Sequence, residues 1–147
     1  MPVKPELIKG LEQVLAETYA LYLKTQNYHW NVKGKHFYSL HKFFEEQYTE
    51  LADAVDDIAE LIRSLGLPAP GSFKAFHQLS TLPDPLLDGS ETKLLEDLLS
   101  SHNILSTNIK ATLDVATSAG DDVTAGSLTE RLAYHRKAIW MISTQLD

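Results

Sequence analysis

His29, His41, Asp56 and Glu60 are all of types that bind metal ions, and they fall in two short stretches, NYHWNVKGKHFYSLHKFFEE and AVDDIAE. Imidazole nitrogen with carboxylate oxygen suits iron, manganese or zinc. Asp56 and Glu60 lie one helical turn apart. His41 and Asp56, however, stand 15 residues apart on what reads as one uninterrupted helix. At about 1.5 Å per residue that is roughly 22 Å along the axis. One chain cannot bring them to a single ion. If they form one site, two chains must make it.

The elements that would position these residues are four long helices. The first is predicted from about Lys4 to Asn31, with Leu7, Ile8, Leu11, Val14, Leu15, Tyr19 and Tyr22 at spacings of three and four. Asn31 and Gly34 are stop signals. The second runs from about Phe37 to Leu65, ended by Gly66 and Pro68. The third covers about Glu91 to Thr117, and Gly120 breaks it. The fourth extends from near Val123 to near Leu146. The link from Gly66 to Gly89 holds Pro68, Pro70, Pro83 and Pro85, with a short helical turn expected around Phe73–Gln78. Short links make helices one and two, and three and four, antiparallel neighbours. The long link can run the length of a bundle. The expectation is an all-α, single-domain chain over residues 1–147. Its fold would be a ferritin-like four-helix bundle with a long crossover between helices two and three.

Composition narrows the chemistry. The 147 residues contain no cysteine, which removes disulfides, thiolate catalysis and iron–sulfur clusters. A formal charge of −7 argues against broad binding to a phosphate backbone and suits cations instead. The first residues, MPVKPELIKG, lack the apolar core of a signal peptide, and no run is long enough to span a membrane. A cytoplasmic protein is the expectation.

Placing the second helix at about 100° per residue sorts it into three faces. Phe37, Phe44, Tyr48, Leu51, Val55, Ile58, Ile62 and Leu65 form the expected core face. Glu46, Glu50, Asp53 and Asp57 form an acidic stripe. His41, Glu45, Asp56 and Glu60 lie between them, beside the small residues Ala52 and Ala59. Two such helices crossing antiparallel would set His41 and Glu45 of one chain against Asp56 and Glu60 of the other. His29 would join from the same chain as His41. Each feature alone has a plainer explanation. A single histidine on a helix border is usually a surface residue, and an acidic pair is usually a solvated face. Only the joint pattern favours a site. His77, His102 and His135 lack carboxylate partners of this kind, and His102 and His135 read as polar positions near the core.

The same residues carry a family resemblance. The run H-W-N-V-x-G resembles the Dps mini-ferritins, as do a histidine twelve residues after the first, an acid four beyond it, and then D-x-x-x-E. The similarity covers nearly the whole chain. It implies a hollow homododecamer that oxidises Fe(II), usually with hydrogen peroxide, stores Fe(III) mineral and protects the cell from oxidative damage. It maps the ferroxidase ligands onto His29, His41, Asp56 and Glu60, with Glu45 as an additional acidic residue and Trp30 close to the centre, redox-active or packing. Glu46, Glu50 and Asp53 become candidates for mineral nucleation. Asp121 and Asp122 become candidates for an ion-entry pore, although either also fits a helix N-cap. Zinc would compete for the same donors.

Two departures accompany the resemblance. The family commonly has Arg after the last glutamate, where this chain has Leu61, with Arg63 nearby. DNA-binding members often carry a basic tail, whereas Lys4 and Lys9 are the only cations ahead of and within the start of helix one, and the chain ends STQLD. Strong DNA binding at neutral pH is therefore not expected, despite the family's association with the nucleoid. The Glu-x-x-His pairs of an intra-bundle di-iron centre are missing too, since Arg63 follows Glu60 and Leu99 follows Glu96 at that spacing. The alternative reading is a shell that acts through DNA association or zinc binding without significant ferroxidase activity.

Overall fold

The structure is a computed structural model in which residues 2–147 are described. Five helices follow in order: α1 (Pro5–Asn31), α2 (Phe37–Ser64), α3 (Phe73–Leu79), α4 (Glu91–Ser118) and α5 (Asp122–Leu146). No strand occurs among the described residues, only an isolated bridge between Lys33 and Ser90. The predicted boundaries differ from these by at most one residue. The expected turn in the crossover is a two-turn helix, α3, whose Ser72 side chain accepts a hydrogen bond from the Ala75 amide. No helix among the described residues is long and apolar enough to cross a membrane.

Helices α1, α2, α4 and α5 make the bundle, with α1–α2 and α4–α5 as antiparallel hairpins and α1 also packed on α4. Pro5 suits the first turn of α1, where its missing amide has no helical partner to lose. Gly34 sits in the α1–α2 turn at φ 135°. A Cβ there would come within 2.6 Å of the Glu91 carboxyl. That approach matters because Glu91 Oε2 accepts from the His36 amide at 3.0 Å and so caps the start of α2. Asp121 caps α5: its two carboxylate oxygens accept from the Thr124 amide at 3.0 Å and the Thr124 hydroxyl at 2.6 Å. Asp121→Ala should lower unfolding stability by about 1 kcal/mol, read from urea denaturation.

The crossover returns along α1 and is pinned by buried polar groups. Glu17, fully buried, accepts from the Thr81 amide and hydroxyl and from the Asn108 side-chain amide. Tyr28 donates to Asp97 at 2.5 Å and accepts from the Leu86 amide at 2.8 Å. Lys24, 1% exposed, donates to Ser101 at 2.9 Å and pairs with Asp97 at 3.1 Å. Most buried polar groups in folded proteins are partnered in this way. Here they tie α1, the crossover and α4 into one seam.

The buried face of α2 is turned relative to the expected one. Leu40, Gln47 and Ala54 join Phe44, Leu51, Ile58 and Ile62 inside. Phe37 is 42% exposed, and Tyr48 and Val55 are only half-buried. The rotation is roughly 30° away from the His41–Glu60 border. Its physical reason is that α2 packs on α1 along one side and meets α5 on the other, so the arc facing both helices is the one that closes. The border and its flanking aromatics stay outside the bundle.

Candidate metal centre

The last turn of α1 and the first turns of α2 are joined by only the residues from Val32 to His36. This short turn brings His29 and His41 face to face, ring centroids 3.8 Å apart and planes inclined by 13°. Their bonding is reciprocal. His29 Nδ1 lies 2.7 Å from the His41 carbonyl oxygen, and His41 Nδ1 lies 2.7 Å from the His29 carbonyl oxygen. A carbonyl can only accept, so each Nδ1 carries the hydrogen and donates. In the neutral form each ring then has its lone pair on Nε2, the atom free to bind a metal. The local cause lies in the helix end. His29 belongs to the last turn of α1, whose carbonyls have no intrahelical partner, and the His41 ring supplies one.

Glu45, one turn beyond His41, brings Oε1 to 3.9 Å from His29 Nε2. One ligand atom from each of His29, His41 and Glu45 lies within 4.8 Å of the others, and no other group of three or more such ligands occurs among the described residues. Donors bound to one ion at about 2.1 Å stand no more than about 4.2 Å apart. The His29 Nε2–Glu45 Oε1 separation of 3.9 Å already falls within that span. Phe37 stacks on His41 at 5.0 Å, and Tyr48 meets His29 edge-on at 5.2 Å. These contacts hold the ring planes. His29 is 7% exposed and His41 is half-buried, whereas the adjacent Trp30 is 59% exposed.

Asp56 and Glu60 lie elsewhere on α2, both exposed, as helix geometry requires. They form their own pair. A hydrogen bond to Asp56, then repulsion from its charge, holds the Glu60 carboxyl above the usual carboxylate range. So the structure brings together His29, His41 and Glu45, and separately Asp56 with Glu60.

The remaining predicted positions divide. Glu46 and Asp53 are exposed in the acidic stripe, but Glu50 accepts a 2.6 Å bond from Arg131 of α5 and is committed to that ion pair. Asp121 serves as the cap of α5, whereas Asp122 is exposed. Arg63 donates to the Leu67 carbonyl at the end of α2, so no bond to Glu60 fills the place of the missing Arg at Leu61. His102 and His135 are not merely near the core: both are fully buried and bonded to each other, Nδ1 to Nδ1, at 2.9 Å. Sequence reasoning passed over Arg131 beside them. Its i, i+4 spacing to His135 was the available signal.

The comparisons with known proteins agree with this architecture. Residues 8–147 match the family model described as a ferritin-like domain. The chain is 32% identical over 142 residues to the DNA protection during starvation protein of Helicobacter pylori, covering 96% of each chain. Among solved structures, Dps from Staphylococcus aureus superposes with a TM-score of 0.95 at 29% identity, covering 100% of this chain and 99% of that one. The Dps protein from Vibrio cholerae, described as a member of a superfamily of ferritin-like diiron-carboxylate proteins, gives 0.94 at 26% identity, covering 100% and 98%. By sequence, fold and the placing of its helices, the chain belongs to the Dps family of ferritin-like proteins.

Proposed function

We propose that the protein is an iron-storing mini-ferritin whose ferroxidase centre is shared by two chains: His29, His41 and Glu45 from one, Asp56 and Glu60 from the other. The observation that carries this reading is the fixed His29–His41–Glu45 cluster, which offers donors on the outer face of α2 to an ion it does not itself enclose. The position of the acidic pair fits it. The midpoint between His41 and Glu60 along α2 coincides with the midpoint between Glu45 and Asp56. Both fall between Glu50 and Leu51. One two-fold axis at that level therefore sets both pairs opposite each other at once, and an isologous contact yields two identical centres. Thr49 and Ala52 share the same midpoint and are small enough for two α2 helices to approach. Exposed Trp30, Phe37 and Tyr38 supply apolar surface for the partner to cover.

The chemistry follows from the donor set. Fe(II) is the substrate, and carboxylates favour the Fe(III) product. Two Fe(II) each give one electron, hydrogen peroxide takes both, and its O–O bond breaks to leave two hydroxides. Fe(III) then hydrolyses and is stored within a hollow homo-oligomer of the dodecameric type. Exposed Glu46 and Asp53 are the nucleation candidates, and Asp122 the candidate for the entry pore. Trp30, exposed beside His29, is placed to take up stray oxidising equivalents. Zinc suits the same donors and competes.

The test is anaerobic Fe(II) loading followed by peroxide. Wild type should oxidise iron rapidly with little hydroxyl radical. His29→Ala/Asp56→Ala should slow the fast phase by at least about 100-fold, since changes even to residues that only support ligands cost 10- to 100-fold. Iron uptake should also weaken in acid, because the ligand forms are neutral imidazole and ionised carboxylate. An unchanged rate in the double variant would remove the centre and leave a shell acting through DNA association or zinc binding.

A further inference from the structure

Away from the proposed centre, a chain of polar groups runs from α2 into the middle of the bundle. Glu50 accepts from Arg131 Nη1 at 2.6 Å. Arg131 Nη2 faces His135 Nε2 at 3.5 Å, and His135 Nδ1 meets His102 Nδ1 at 2.9 Å. The direction of the chain is fixed by chemistry. A guanidinium can only donate, so His135 Nε2 carries the lone pair and His135 Nδ1 carries the hydrogen. His102 Nδ1 must then accept, which places the His102 hydrogen on Nε2. That atom finds no protein acceptor among the described residues.

Both rings are thus neutral, and neither has an idle lone pair. A proton added to His102 has only Nδ1 to occupy, where the His135 N–H already points. A proton added to His135 has only Nε2, which faces the Arg131 cation. We propose that the His102–His135 pair is an acid-operated latch between α4 and α5: neutral, it joins the two helices inside the bundle, and protonation of either ring removes that join.

No carboxylate is hydrogen-bonded to either ring to receive the added charge. From α5, Arg131 is a cation, and Tyr134 lies edge-on to His135 at 5.2 Å, its hydroxyl pushed above the ordinary tyrosine range by burial and by Glu50. From α2, the carboxylate Glu50 is bonded to Arg131. From α1, the buried ionisable groups Lys24 and Glu17 are committed elsewhere: Lys24 to Ser101 and Asp97, Glu17 to Thr81 and Asn108. Burial first, and then Arg131, holds His102 down at about 3, while burial, His102 and Arg131 hold His135 well below its ordinary value. The sign is therefore definite. Above the unfolded histidine pKa of about 6.5 neither state binds the protons, and the latch contributes fully. As the pH falls below that value the unfolded chain gains protons that the fold refuses, and stability drains away toward pH 3. An apolar pair in the same space would hold α4 to α5 without this dependence.

Two measurements on the assembled protein test the latch. The first is the proton uptake on unfolding at pH 5.5, from calorimetry in buffers of different ionisation heat. His102→Leu/His135→Leu should take up about two fewer protons than wild type. Equal uptake overturns the proposal. The second needs only the wild-type fold and stands if the double variant does not fold. Histidine 15N spectra at pH 7.5 and 5.5, assigned with His102→Gln and His135→Gln, should show Nε2–H on His102 and Nδ1–H on His135 at both pH values. A reversed tautomer, or an imidazolium on either ring in the intact bundle at pH 5.5, overturns it.

Discussion

Co-expressing His29→Ala and Asp56→Ala chains in equal amounts should restore about a quarter of the wild-type fast phase of Fe(II) oxidation, although each variant alone is inactive. The value follows from the proposed sharing of the centre. A two-fold pair of chains makes two centres, each with His29 from one chain and Asp56 from the other. In a mixed pair, one centre collects both substitutions and the other collects neither. Half of randomly formed pairs are mixed, and half of their centres are intact. The expected recovery is large against a background near zero. A centre contained in a single chain predicts no recovery at any mixing ratio, so stopped-flow oxidation of the mixture decides between the two arrangements.

Asp97→Ala is expected to be the most damaging single substitution away from the centre, lowering stability by about 3–5 kcal/mol. Lys24 is 1% exposed, and burial already pushes its pKa below the ordinary lysine value, with Asp97 opposing the shift. Removing Asp97 leaves that ammonium without a counter-charge. It also takes the acceptor from the Tyr28 hydroxyl, which itself holds the crossover at the Leu86 amide. Urea unfolding followed by circular dichroism should show the loss. Lys24→Met/Asp97→Leu should recover most of it, because an apolar pair needs no desolvation of charge. A loss below about 1 kcal/mol in Asp97→Ala would show that Lys24 finds another partner or escapes to water.

The helices and their ends were legible because they are written locally. Gly34, Gly66 and Gly120 all adopt positive φ where the sequence marks the stops, and the long crossover follows from where they fall. The border of α2 that carries the candidate ligands was legible for the same reason, since one helix fixes its own angles. His29 joining His41 needed only a tight turn. What could not be read was the polar seam. Glu17, Lys24 and Tyr28 sit on α1 among apolar neighbours, and their partners lie 58 to 91 residues away. No periodicity distinguishes a buried charge with a distant partner from an exposed one. The same holds for His102, which meets His135 across 33 residues. The rotation of the core arc on α2 was hidden too, because it depends on which neighbours press on the helix.

The reciprocal bonds between His29 and His41 span only 12 residues, against the far longer separations of the polar seam. Contacts of short separation close early during folding, because little chain entropy opposes them. The imidazole half of the proposed centre therefore needs only the first hairpin, and neither the crossover nor a second chain. On the proposed two-chain arrangement, assembly would bring a carboxylate pair to a preformed receptor, and the order in which the molecule is built would place its most exacting geometry first.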